Sequence, residues 1–238
     1  MRLSAPLYRL KRQARLLSRR HDIPLHQALD RIAAGEGFAN WSLLAAKAAE
    51  VAPASSLSGQ LAPGDLVLVA ARPGQGKTLT SLALAVEAMK SGRRSVFFTL
   101  EYTHVDILGR FRAIGAEPAD FEGLFEFDNS DAISADHIIG RLQTAPRETL
   151  AIIDYLQLLD QKRENPELMV QVRMLKAFAR EKGLVLVFIS QIDRSYDPSK
   201  KPFPDLGDVR LPNPLDLSLF DKACFLNKGE IRFQAATA

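Results

Sequence analysis

The sequence predicts an α/β fold, with a mostly parallel central sheet covered by helices on both faces and a small helical module in front. Three observations predict it. Continuous apolar runs such as Leu150-Ala151-Ile152-Ile153 and Val185-Leu186-Val187-Phe188-Ile189 alternate with stretches of helical spacing. Strands that are apolar at every position are buried on both faces, as in parallel sheets. One such run, Leu66-Val67-Leu68-Val69-Ala70, leads through a glycine-bearing turn straight into a helical pattern. Ahead of it, residues 52–63 (APASSLSGQLAP) are rich in small residues, Ser and Pro, and separate this alternating region from a purely helical one. The expected organisation is a basic helical module over 1–51, a linker over 52–62 and an α/β domain over 63–238.

Composition sets the bounds. The chain has 238 residues, 47% hydrophobic and 25% charged, enough apolar material for a core without disulfide or metal staples. The single cysteine, Cys224, excludes an internal disulfide and a cysteine-clustered zinc site. His21, His26, His104 and His137 lack metal-ligand spacing. No apolar run is long enough for a bilayer, so no membrane partner is expected, and a reducing cytoplasm fits the cysteine usage. Net charge is only +3, yet Arg2, Arg9, Lys11, Arg12, Arg15, Arg19 and Arg20 crowd the start. A basic, acid-free start also suits a transit peptide, but the helical pattern continues through 22–41, which favours a folded module. A local basic face implies an anionic partner. Arg12 and Arg19 are therefore candidate nucleic-acid contacts, with a solvated face over a leucine core as the other reading.

Leu3, Leu7, Leu10, Ala14 and Leu17 mark one stripe of a first helix. Asp22 and Pro24 predict the N-cap region of a second, running to about residue 34. Gly35 and Gly37 break it, and Phe38, Trp41, Leu43 and Leu44 anchor a third. Past the linker, strands are expected over 66–70, 95–100, 124–127, 150–154 and 184–190. Helices are expected over 78–91, 104–114, 135–142 and 167–181. The last apolar pieces, 223–226 and 230–234, flank Asn227-Lys228-Gly229, which predicts a hairpin.

The turn between the first strand and its helix carries the chemistry: Ala71-Arg72-Pro73-Gly74-Gln75-Gly76-Lys77-Thr78. Glycines let backbone N–H groups face a phosphate with no Cβ in the way. The helix N-terminus adds partial positive charge at the same place. Lys77 supplies a point charge for the β- and γ-phosphates, and Thr78 a hydroxyl for Mg²⁺. ATP and Mg²⁺ are the expected ligands, with Arg72, Gly74, Gln75, Gly76, Lys77 and Thr78 as nucleotide contacts. Ala71 stands where the phosphate-loop pattern usually begins with glycine.

Asp154 ends the buried strand 150–154 and reaches the carboxyl edge of the sheet, where open α/β sheets bind ligands. A strand-ending aspartate is common by itself; beside a phosphate turn it is a candidate Mg²⁺ carboxylate. Glu101 closes Val96-Phe97-Phe98-Thr99-Leu100 at the same edge, as a candidate for activating water or as a solvated strand end. Gln191 follows Val187-Phe188-Ile189-Ser190, as a γ-phosphate sensor or a loop-capping amide.

In order and spacing, these motifs resemble the DnaB-type replicative helicase family, specifically its C-terminal RecA-like ATPase domain. The resemblance rests on Pro63-Gly64-Asp65-Leu66, Ala71–Thr78, Phe98-Thr99-Leu100-Glu101 and Ile153-Asp154-Tyr155-Leu156-Gln157-Leu158. It is extended by Leu175-Lys176-Ala177-Phe178-Ala179 and Ser190-Gln191-Ile192-Asp193-Arg194, and spans about residues 57–233. It implies ATP hydrolysis with Lys77 and Glu101 catalytic, Mg²⁺ held by Thr78 and Asp154, and Gln191 coupling nucleotide to DNA. It also implies single-stranded DNA against the 193–206 loop, where Arg194, Lys200 and Lys201 are the candidate contacts, with ordinary cations of a solvated surface loop as the other reading, and a homo-oligomeric, hexameric assembly.

The sequence departs from that family in three places. The family's large N-terminal domain is replaced by the basic module, whose Gly37-Phe38-Ala39-Asn40-Trp41 is similar to a small domain ahead of varied bacterial proteins. The Lys-x-Arg finger that completes a neighbour's site is reduced to Phe225-Leu226-Asn227-Lys228-Gly229-Glu230. Arg210-Leu211-Pro212-Asn213-Pro214-Leu215-Asp216-Leu217 replaces much of the usual loop before the last strands. Two functions are therefore expected to compete: a helicase-like ATPase motor acting on or near DNA, and a nucleotide-gated binding or regulatory protein with slow hydrolysis and no strand separation.

Overall fold

A computed structural model describes residues 4–5, 7–49, 57–160, 165–211, 213–227 and 230–235. The N-terminal region forms three helices, α1 (Leu7–His21), α2 (Leu25–Gly35) and α3 (Trp41–Ala49). Leu10, Ala33 and Leu44 are buried together, with Ile32, Phe38 and Trp41 packed around them. Leu10 and Ala14 are buried and Leu17 half-buried, as the apolar stripe predicts; Leu3 and the Leu7 side chain lie outside the described residues. Two expectations are corrected. Asp22 does not cap α2: it closes α1 with φ +49°, and the α2 N-cap is Pro24, which makes no side-chain bond. Leu43 is exposed rather than an anchor, because α3 starts at Trp41 and turns that position outward. The cap of α3 is Asn40, whose Oδ1 accepts the Leu43 N–H at 2.9 Å.

The remainder is one seven-stranded sheet in the order β3-β2-β4-β5-β1-β6-β7. Its strands are β1 (Leu66–Ala71), β2 (Ser95–Thr99), β3 (Phe125–Asp128), β4 (Leu150–Asp154), β5 (Val185–Gln191), β6 (Lys222–Asn227) and β7 (Glu230–Ala235). All neighbours run parallel except β6 and β7, which are antiparallel. Asn227 pairs with Glu230, as a two-residue hairpin turn requires; Lys228 and Gly229 themselves lie outside the described residues.

Period-two alternation splits each strand between two cores. Val67, Val69, Phe97, Ile152, Val187 and Ile189 face α4 (Lys77–Lys90) and α5 (His104–Ala113). Leu66, Leu68, Phe98, Ile153, Leu186 and Phe188 face α6 (Ala135–Leu142) and α7 (Leu168–Lys182). Burying each such side chain contributes about 1.5–3 kcal/mol. Cys224 is buried in β6, and burial pushes its thiol up to about 12. Leu57, within the expected linker, is also buried in the α4/α5 core; residues 50–56 lie outside the described residues. Among the described residues no helix is long and apolar enough to cross a membrane.

Parallel pairing aligns the carboxyl ends of the inner strands. Thr99 lies opposite Asp154, Asp154 opposite Ile189, and Ala71 opposite Gln191. The turn after β1 and the ends of β2, β4 and β5 therefore meet on one edge.

Candidate nucleotide site

β1 ends at Ala71, and α4 starts only six residues later, at Lys77. Gly74 and Gly76 hold the turn at φ +78° and +89°, a region that costs other residues about 1–2 kcal/mol. A Cβ built on either glycine would project into open space, the space an approaching phosphate would use. Gly76 is the N-cap of α4 and provides no side-chain cap, so the first-turn amides face that space under the helix dipole. Lys77 is half-buried in the first turn.

Thr78 is buried and donates from Oγ1 to Asp154 Oδ2 at 3.0 Å. Asp154 is fully buried, and its Oδ1 has no hydrogen-bond partner. Burial pushes its carboxyl up to about 6, with a further rise from the like charge of Glu101, while Thr78, Lys77 and Arg110 act the other way. An unpartnered buried carboxylate oxygen beside a hydroxyl fits a hard, oxygen-seeking cation such as Mg²⁺. The peptide from Asp154 to Tyr155 is cis.

Glu101 is exposed at the same edge, its N–H donating to Thr99 Oγ1 at 3.0 Å. On its other side a capping box, Thr103 with Asp106, starts α5. Between them the Tyr102 ring lies 4.1 Å beneath the Arg110 guanidinium, whose Nε is buried and unpartnered. No motif in the sequence marks Arg110. The available signal was an arginine two turns into the helix that follows the edge carboxylate. Gln191 belongs to β5 rather than following it; its carbonyl accepts from Arg210 N–H at 2.8 Å, and Ile192 N–H donates to Ala71 O at 3.1 Å.

Two of the expected contact residues have partners within the chain. Arg72, expected among the nucleotide contacts, donates from Nη2 to the carbonyls of Arg194 (3.1 Å) and Tyr196 (2.8 Å). Its guanidinium stands 5.6 Å from the Tyr196 ring centroid. Lys201, expected on DNA, pairs with Asp205 (2.5 Å) and Asp208 (2.7 Å), and those hydrogen bonds raise its pKa. The cause is local: the aspartates that close the next turn lie four and seven residues further on. Arg194 and Lys200 are exposed on this loop, as is Arg210 on the segment bridged to it.

Tyr196, only 4% exposed, holds the loop down: its hydroxyl donates to Lys201 O at 2.8 Å, and Asn227 Nδ2 donates to Pro202 O at 2.8 Å. The phosphate turn and the 193–208 segment thus form one strapped unit. Tyr196→Ala is expected to cost about 3–5 kcal/mol in denaturant melts and to open residues 193–208 to protease. Tyr196→Phe, losing one hydroxyl, is expected to cost about 1 kcal/mol. Equal losses in the two variants would mean that the ring does not seat the loop.

A family model described as "ATPase: KaiC" matches residues 54–203. The replicative DNA helicase DnaB of Synechocystis is 27% identical over 186 residues, covering 65% of this chain and 21% of that protein. That of Pasteurella multocida is 26% identical over 205 residues, covering 72% of this chain and 44% of that protein. The chain thus spans less than half the length of either relative. Among solved structures, one ATPase domain superposes with a TM-score of 0.59 at 19% identity, covering 72% of this chain and 73% of that one. A KaiC-like protein from Pyrococcus horikoshii superposes with a TM-score of 0.50 at 16% identity, covering 68% of this chain and 70% of that one. Both likenesses are of fold, the RecA-like arrangement of the sheet.

Proposed function

The chain belongs to the KaiC family of ATPases, and from that premise we propose that it is a helicase-like motor that hydrolyses ATP on or near DNA. The observation that carries this reading is the convergence of Lys77, Thr78, Glu101, Asp154 and Gln191 on one sheet edge. In the proposed division, residues 63–238 form the motor, 1–51 a separate module and 52–62 the connection, with Leu57 fastened to the motor core.

The residues divide the work. The α4 amides and Lys77 hold the triphosphate and neutralise charge that builds on it during transfer. Thr78 and Asp154 would hold Mg²⁺, which would supply charge neutralisation to the triphosphate. Glu101, fixed between the Thr99 bond and the α5 capping box, orients the attacking water and accepts its proton. Arg110, through the Tyr102 ring, keeps that segment in place. Gln191 lies between the phosphate turn and the strapped loop, so it reads the nucleotide without adding charge. Arg194 and Lys200 then serve as DNA contacts, and Lys201 serves as a clasp within the loop. The carboxyl-edge location also suits a homo-oligomer in which a neighbour completes the site; the exposed Arg232 stands 4.6 Å over the Phe203 ring of its own chain.

Phosphate release measured with and without single-stranded DNA tests the reading, alongside light scattering with and without ATP. Turnover that rises with DNA, and assembly that rises with ATP, are expected. A monomer that binds ATP yet shows neither would instead be the nucleotide-gated binding protein.

A further inference from the structure

We infer that the exposed basic face of α1 docks the phosphate backbone of nucleic acid, tethering it in front of the ATPase core. The inference deepens the DNA-acting reading above and rests on it for the partner's class. Charge is divided sharply along the chain. Residues 1–51 hold nine Lys and Arg against four Asp and Glu, a net +5, so the remaining residues carry −2 of the chain's +3. The chain's net positive charge, which draws a polyanion from a distance, therefore resides in the module, while Arg194 and Lys200 are local cations in a motor of net negative charge.

Within the module it is ordered. Lys11, Arg15 and Arg19 recur at steps of four along α1, with Arg12 beside them, and all four side chains are exposed. Each four-residue step rises about 6 Å, which lays out a row of cations suited to the regular charges of a phosphodiester chain. α1 contains no acidic residue, and among the described residues none of these four forms an ion pair. Arg20 extends the positive end through the last turn. Arginine forks add paired hydrogen bonds to phosphate oxygens.

A lipid surface fits less well. An interfacial helix must lower its apolar face into the headgroups, and that face of α1, Leu10 and Ala14, is buried inside the module. Among its described residues α1 presents a row of charge in which Leu16 is the exposed large apolar side chain.

The test uses the full chain without nucleotide, titrating salt against a labelled oligodeoxythymidine and, separately, a mixed-sequence duplex. Quadruple neutralisation, K11Q/R12Q/R15Q/R19Q, is expected to reduce the log–log salt slope by about 3, from roughly 0.7–0.9 per phosphate contact. The charge-keeping variant R12K/R15K/R19K is expected to retain the wild-type slope. Circular dichroism of both confirms that the module is folded. An unchanged slope in the folded glutamine variant overturns the proposal. So does equal loss in the lysine variant, or binding to phosphatidylserine vesicles that vanishes in the glutamine variant while DNA binding persists. Phosphate release in parallel keeps the two readings apart: a lost salt slope without any wild-type turnover leaves the tether standing and removes the motor.

Discussion

Lys77→Ala is expected to cut phosphate release by about 10²–10³-fold or more and to weaken ATP binding at the same time. Lys77 leads α4 directly behind the Gly74/Gly76 turn, half-buried, and no other lysine belongs to that turn. Glu101→Gln should separate binding from chemistry. The amide keeps the side chain's size and leaves the backbone bond to Thr99 in place, so ATP should still bind. A general base contributes about 10²–10⁴-fold, and turnover should fall by that range. Stopped-flow binding of a fluorescent ATP analogue, read beside steady-state release, distinguishes the two. Should Lys77→Ala turn over normally, the phosphate turn is not the site. Should Glu101→Gln turn over normally, another group activates the water, and Arg110 with its stacked Tyr102 ring is then only structural.

The strands that build this edge were legible because burial on both faces leaves a plain apolar signature. Strand β4, ending on Asp154, and helix α6 match their expected limits residue for residue, and the phosphate turn was readable because its chemistry demands glycines at fixed places. What stayed hidden depends on contacts distant in sequence. Nothing near Arg72 announces that its guanidinium spans to Arg194 and Tyr196, more than 120 residues on. Lys201 reads as one cation of a basic loop until the chain turns and brings Asp205 and Asp208 against it. Asp22 offers a good capping side chain, yet the backbone needed a left-handed residue to leave α1, and that geometry took precedence over the cap. Arg110 acquires meaning only when α5 folds back over Tyr102. The short 3-10 turn Leu156–Asp160 likewise left no periodic pattern to read.

Asp154→Asn is expected to stabilise the metal-free protein at neutral pH while removing most of its turnover. The carboxyl is fully buried, and its folded value of about 6 stands above the ordinary 3.8. The folded state therefore holds that proton more tightly than the unfolded chain does. Between these two values stability falls as pH rises, and above about pH 6 the whole penalty is present. Two pH units correspond to about 3 kcal/mol at most. Asparagine has the same shape, can still accept from Thr78 Oγ1, and carries no charge to desolvate. Urea melts should thus show the variant gaining stability at pH 8 and gaining almost nothing at pH 4. Added Mg²⁺ should reverse the comparison, because a cation bound between Thr78 and Asp154 stabilises only the wild type. A variant that is less stable at pH 8, or that gains as much from Mg²⁺ as the wild type, would mean that the buried carboxylate is a structural anchor and that the metal is held elsewhere. Confirmation would show the protein keeping a strained charge at its sheet edge because hydrolysis needs it there, and stability would be recovered only when the ligands arrive.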